Sequence, residues 1–81
     1  IMLSDIQVFL FPDTIKFFQN NDKIVKELSS DTSTVIKVNN RRKDPYISIK
    51  GQFEECHKAR IVIQDIEKDN YRKAYIDKSD D

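Results

Sequence analysis

The residues that could do chemistry fall into three groups. Cys56 and His57 are the single cysteine and the single histidine of the chain, and they are neighbours. They fall in a helical pattern, where adjacent side chains point about 100° apart, a poor arrangement for a nucleophile and its base. Cys56 lies on the apolar stripe of that pattern and reads as a packed core thiol, with His57 at the surface. One Cys and one His make no zinc site without carboxylates or a second chain. No acid pair, Ser-His-Asp set, phosphate loop or metal motif occurs, so the sequence reads as a non-enzyme needing no cofactor and no metal. The second group suits contact with a polyanion. Asn20 and Asn21 lie within the polar tetrad Gln19-Asn20-Asn21-Asp22, Lys23 and Lys26 follow it, Lys37 lies in a β-branched stretch, and Arg41-Arg42-Lys43 form a short basic run. Such residues make salt-dependent phosphate contacts. The competing readings are a solvated, capped turn and an ordinary charged hairpin loop offset by Asp44. The third group is Gln7, Phe9, Phe11, Tyr71 and Tyr75, surplus aromatics and a flanking Gln that either pack within the chain or offer a partner surface.

Composition narrows the field. Eighty-one residues allow one small domain, and 38% apolar with 35% charged residues means a compact core under a densely charged surface. Lys plus Arg equals Asp plus Glu at 14 each, which argues against a strong nonspecific polyanion binder but allows a local basic patch. One cysteine excludes an internal disulfide and suits a reducing, intracellular compartment, with the cytoplasm favoured over the nucleus. No apolar run approaches the ~20 residues of a membrane span. Ile1 to Phe11 lacks a basic leading region and does not look like a signal peptide. The ends, Ile1 and Lys78-Ser79-Asp80-Asp81, suggest a piece of a longer protein.

These groups must be positioned by six elements. Ile6–Phe11 is β-branched and aromatic and predicts a strand stopped by Pro12, with Ile6, Val8 and Leu10 on one face and Gln7, Phe9 and Phe11 on the other. Pro12 and Asp13 suit the first turn of a short helix with Ile15 and Phe17 or Phe18 on its apolar side. The tetrad predicts a four-residue turn, in which Asn21 or Asp22 could cap the next helix. That helix runs to about Ser30, with Ile24, Val25 and Leu28 inward. Thr34–Val38 and Tyr46–Lys50 predict two more strands joined by a polar connection, and Gly51 ends the second. Gln52 to about Lys68 is the best helix. Cys56, Ala59, Ile63 and Ile66 recur at spacings of three and four, widened by Phe53, Ile61 and Val62. Its pattern continues through Tyr71, Ala74 and Tyr75 unless Asp69-Asn70 interrupts it, and Lys78–Asp81 should fray. The order β-α-α-β-β-α predicts an α+β, two-layer domain spanning residues 1–81, with a three-stranded antiparallel sheet and three helices on one face.

Three segments carry a resemblance to the KH domain of the eukaryotic, type I kind. Phe17 to Leu28 looks like the family's Ile-Ile-Gly-x-x-Gly-x-x-Ile-x-x-Leu. Asp31 to Val38 is similar to the Glu-Thr-Gly-x-x-Ile-x-Ile that enters the second strand. Ile47 to Ile66 looks like Ile-x-Gly-x-x-x-x-Val-x-x-Ala-x-x-x-Ile-x-x-Ile, without gaps over some twenty residues. The resemblance covers roughly residues 6–68 and is similar in tone to the repeats of vigilin-type proteins. It implies a module of a multi-domain RNA-binding protein, in which a Gly-x-x-Gly loop clamps about four nucleotides of single-stranded RNA. Here those glycines fall on Gln19 and Asp22. Asp22 puts a carboxylate where phosphate would sit, a repulsion of about 1 kcal/mol or more at ~4–6 Å and an effective dielectric near 20.

The expectation is therefore a KH-like module acting mainly as a scaffold or contact surface for other domains of its own protein or for a protein partner, with weak or no RNA binding. One alternative is single-stranded RNA binding without the glycines, through Asn20, Lys23, Lys37 and Arg41–Lys43. Another is a dimerising or partner-binding module that pairs through its first strand and last helix.

Overall fold

The computed structural model describes residues 3–76. The fraying expected of Lys78–Asp81 lies outside the described residues. Six elements follow one another: β1 (Leu3–Phe9), α1 (Pro12–Asn20), α2 (Asp22–Thr32), β2 (Val35–Asn39), β3 (Tyr46–Gln52) and α3 (Phe53–Tyr75). The strands form one antiparallel sheet in the order β1-β3-β2, so β3 is central and β1 and β2 are edges. The α+β, two-layer architecture expected from the sequence is the one observed.

Strand alternation separates the two faces of the sheet. Val8, Ile47 and Ile49 are buried, with Ile6, Ile36 and Val38 packed beside them. Their neighbours Asp5, Gln7, Phe9, Val35, Lys37 and Lys50 are exposed on the opposite face. The helices cover the first face only. α1 supplies Ile15 and Phe18, α2 supplies Val25 and Leu28, and α3 supplies Cys56, Ala59 and Ile63. At about 25 cal/mol per Å² of apolar surface, this single contiguous cluster is the main favourable term of the fold.

Several details differ from the sequence reading. β1 begins at Leu3 and ends at Phe9, because β3 continues through Gly51 to Gln52 and offers Leu3 and Ser4 partners. Leu10 and Phe11 have left the ladder: the Leu10 amide donates to the Pro45 carbonyl, and the Phe11 carbonyl accepts from Thr14 and Ile15 as α1 begins. α2 continues past Ser30 to Thr32. The Thr32 hydroxyl donates to the Leu28 carbonyl and meets the Thr34 hydroxyl at 2.7 Å, so two buried polar groups satisfy one another. Ser33 then closes the helix in the left-handed conformation, φ 52°, donating to Ser30. The expected extension of α3 through Tyr71, Ala74 and Tyr75 is present: Asp69-Asn70 does not interrupt the helix, which runs 23 residues, about 34 Å. Finally, α3 meets the core through a narrow line, Cys56, Ala59, Ile63 and half-buried Ile66. Phe53, Ile61 and Val62 are exposed and do not widen the stripe.

Gly51 has φ 158°, a conformation that L side chains rarely adopt, and the space beside it is tight. A methyl group at its Cα would meet Thr34 Cγ2 at 3.0 Å, where the chain passes from α2 into β2.

Candidate nucleic-acid interface

The helix–helix connection is shorter than the sequence suggests. α1 runs to Asn20 and α2 begins at Asp22, so Asn21 alone turns the chain, at φ −123° and ψ 53°. The expected four-residue turn is thus one residue, because Gln19 and Asn20 complete the last turn of α1. Nor does Asn21 or Asp22 cap α2 with its side chain. The Asn21 amide instead reaches back and donates to the Phe17 carbonyl at 2.8 Å, closing the C-terminus of α1.

The other polar side chains here are also engaged. Asn40, beyond β2, donates to Gln19 Oε1 at 3.0 Å, tying the end of α1 to the connection between β2 and β3. Asp22 pairs with Lys26 at 3.0 Å one turn along α2. That pair is exposed and adds little stability, but it places a carboxylate against an ammonium at this end of α2. Asn20 and Lys23 are exposed at the same end.

The eight residues read from the sequence as polyanion contacts do not converge on one groove. Asn20, Asn21, Lys23 and Lys26 sit at the α1–α2 end. Lys37 points from β2 to the face of the sheet that no helix covers, because its neighbours Ile36 and Val38 turn inward. Arg41 folds onto its own loop. Its Nε donates to the Asp44 carbonyl at 3.0 Å, and its guanidinium lies 4.9 Å from the centroid of the Tyr46 ring. Arg42 and Lys43 lie toward β1, bordering a hollow of about 480 Å³ with Phe9, Phe11 and Glu67.

The aromatic group divides as well. β1 is an edge strand, and Gln7 and Phe9 are exposed on the open face, where Phe9 pairs in register with Tyr46 at 5.5 Å between ring centroids. Phe11 belongs elsewhere. It stacks on Tyr71 at 6.4 Å, its amide donates to Glu67 at 2.8 Å, and Tyr71 packs on Tyr75 at 4.9 Å. The extension of α3 therefore covers Phe11 in part and does not reach Phe9. Phe11, Tyr71 and Tyr75 remain 59%, 48% and 64% exposed and border a groove of about 420 Å³ between the start of α1 and the end of α3. Tyr46 was missed in the sequence. Its signal was the strand phase, which places it with Ser48 and Lys50, opposite Ile47 and Ile49.

Cys56 is buried among β1, β3 and α3, with Sγ 3.7 Å from the Ile49 carbonyl. Burial pushes the thiol above its ordinary range, and the nearby Asp5 carboxylate adds to this, so the thiol stays protonated at neutral pH. His57 faces outward and meets Arg60 at 2.7 Å. Labelling of Cys56 by a soluble disulfide reagent at neutral pH should be slowed at least ~100-fold relative to the urea-unfolded chain, since reaction requires opening of the core. Equal rates would overturn the burial. Among the described residues, no cluster of His, Cys, Asp and Glu could hold a metal ion, and no helix is long and apolar enough to cross a membrane.

No family model, curated protein or solved structure matches the chain.

Proposed function

We propose that the chain is a diverged KH-type module of a larger RNA-binding protein, acting chiefly as a scaffold or a contact surface for neighbouring domains or a protein partner. The observation that carries this reading is the state of the α1–α2 connection. Where the resembling family has two glycines and open backbone, this chain has Gln19 bound to Asn40, Asn21 bound to Phe17, and Asp22 bound to Lys26. A phosphate entering there must displace a hydrogen bond between two elements and approach a carboxylate. The exposed Phe11-Tyr71-Tyr75 stack supports a contact role, because the fold leaves these residues 48–64% in solvent.

The test is a titration of the chain with a pool of short single-stranded RNAs at low salt, followed by amide chemical shifts. The expected result is that residues 19–23 do not shift and that no complex tighter than the nonspecific range forms, a Kd of about 10⁻⁶ M or weaker. Submicromolar binding with shifts centred on Gln19 to Lys23 would overturn the reading.

A further inference from the structure

The face of the sheet opposite the helices is open, and its composition is uneven. In register it presents Asp5 beside Lys50 and Val35, Gln7 beside Ser48 and Lys37, and Phe9 beside Tyr46 and Asn39. The last row is aromatic. Phe9 is 55% exposed, and the Tyr46 ring is fixed by the Arg41 guanidinium over it and by Asn39 Nδ2, which donates to its hydroxyl at 2.8 Å. Cations surround this row. Lys37 is a diagonal neighbour of Tyr46 one row along, and Arg42 and Lys43 rim the hollow whose wall includes Phe9. The side chains of Lys37, Arg42 and Lys43 form no ion pair or hydrogen bond among the described residues.

Charge sets this face apart from the rest of the molecule. The face and its loop hold Lys37, Arg41, Arg42, Lys43 and Lys50 against Asp5 and Asp44. Among residues 3–76, eight bases and nine acids lie elsewhere. The open face and its loop thus gather a net excess of three cations around the cross-strand pair of exposed Phe9 and half-buried Tyr46, while the other described residues are nearly balanced. Aromatic rings on a flat sheet accept stacked bases, and flanking Lys and Arg accept the backbone phosphates. A protein partner would match the charge, but it would not call for unpaired cations at the edge of a flat ring.

We propose that single-stranded nucleic acid binds on this open sheet face, with a base stacked on Phe9 beside Tyr46 and backbone phosphates on Lys37, Arg42 and Lys43. The site lies on the face of the sheet that no helix covers and uses none of residues 19–23, so shift mapping distinguishes its failure from that of the reading given above.

The test uses ten-residue oligomers of uridine and of thymidine, fluorescently labelled, at low salt, with amide shifts mapped in parallel. The expected shifts fall on Gln7, Phe9, Lys37, Tyr46 and Ser48, with residues 19–23 unmoved. Phe9→Ala should weaken binding ~10-fold, the loss of one stacked base, while Phe9→Tyr, which keeps a ring, should retain the affinity. Arg42→Ala with Lys43→Ala should lower the slope of log affinity against log salt by about 1.4. Binding of either oligomer in this pattern supports the site, and comparing the two shows whether the ribose hydroxyl contributes. Absence of binding to both, or an affinity unchanged by Phe9→Ala, would overturn it and leave the α1–α2 reading intact. Shifts confined to Gln19–Lys23 would overturn both.

Discussion

Replacing Phe18 with alanine should remove most of the stability of the domain. Phe18 is 1% exposed and is the largest fully buried side chain in the core. It lies on α1 two residues before the end of the helix and meets the ring of half-buried Phe17 edge-on at 5.5 Å. Truncating a buried phenylalanine costs about 3–5 kcal/mol, the lost transfer energy plus the cavity left behind. A domain of 81 residues has a total stability of about 4–12 kcal/mol. The substitution should therefore shift the urea midpoint far down or leave the chain unfolded in buffer. Phe11→Ala is the control, since that ring is more than half exposed, and it should cost less than about 1.5 kcal/mol. Equal losses from the two substitutions would show that the core does not centre on Phe18.

The second large effect concerns Gln19 and Asp22. Glycine at both positions should raise affinity for single-stranded RNA about 10-fold or more. Three changes act in one direction. Removing Asp22 deletes a carboxylate from the position where phosphate would sit, and it releases Lys26 from its 3.0 Å ion pair. Removing the Gln19 side chain breaks the bond from Asn40 that ties the β2–β3 connection to α1. Glycine also lets a nucleic-acid backbone approach closely. The cost is helix stability: Gln19 lies inside α1 and Asp22 opens α2, so each glycine should destabilise by roughly 0.5–1 kcal/mol. Higher affinity with lower thermal stability is the expected pair of results. Stability loss without any gain in affinity would show that the missing glycines are not what keeps RNA away.

Much of the fold could be read along the chain. Alternation in Ile47-Ser48-Ile49 fixed the inward face of the central strand, and Cys56, Ala59, Ile63 and Ile66 identified the inner line of α3, because period-2 and period-3.6 patterns are local consequences of backbone geometry. Element ends were less legible. α2 outran its Ser/Thr-rich signal because Thr32 found a buried partner in Thr34, and β1 was displaced because its register depends on how far β3 extends, a pairing between residues 37 to 49 apart. The basic and aromatic residues were identifiable as types but not as groups. Their distribution over two faces depends on which side of the sheet the helices cover.

The tetrad Gln19 to Asp22 shows the division. By itself the sequence determined that two helices meet there, that no glycine is present and that a carboxylate stands in place of one, since composition decides these outright. Only the tertiary structure decided that Asn21 alone makes the turn, that Asn40 reaches Gln19 from 21 residues away, and that Phe9 and Lys37 share the open face of the sheet. The physical reason is range. Side-chain type and helical period act within a few residues, whereas a shared surface arises only once strands from both halves of the chain lie side by side.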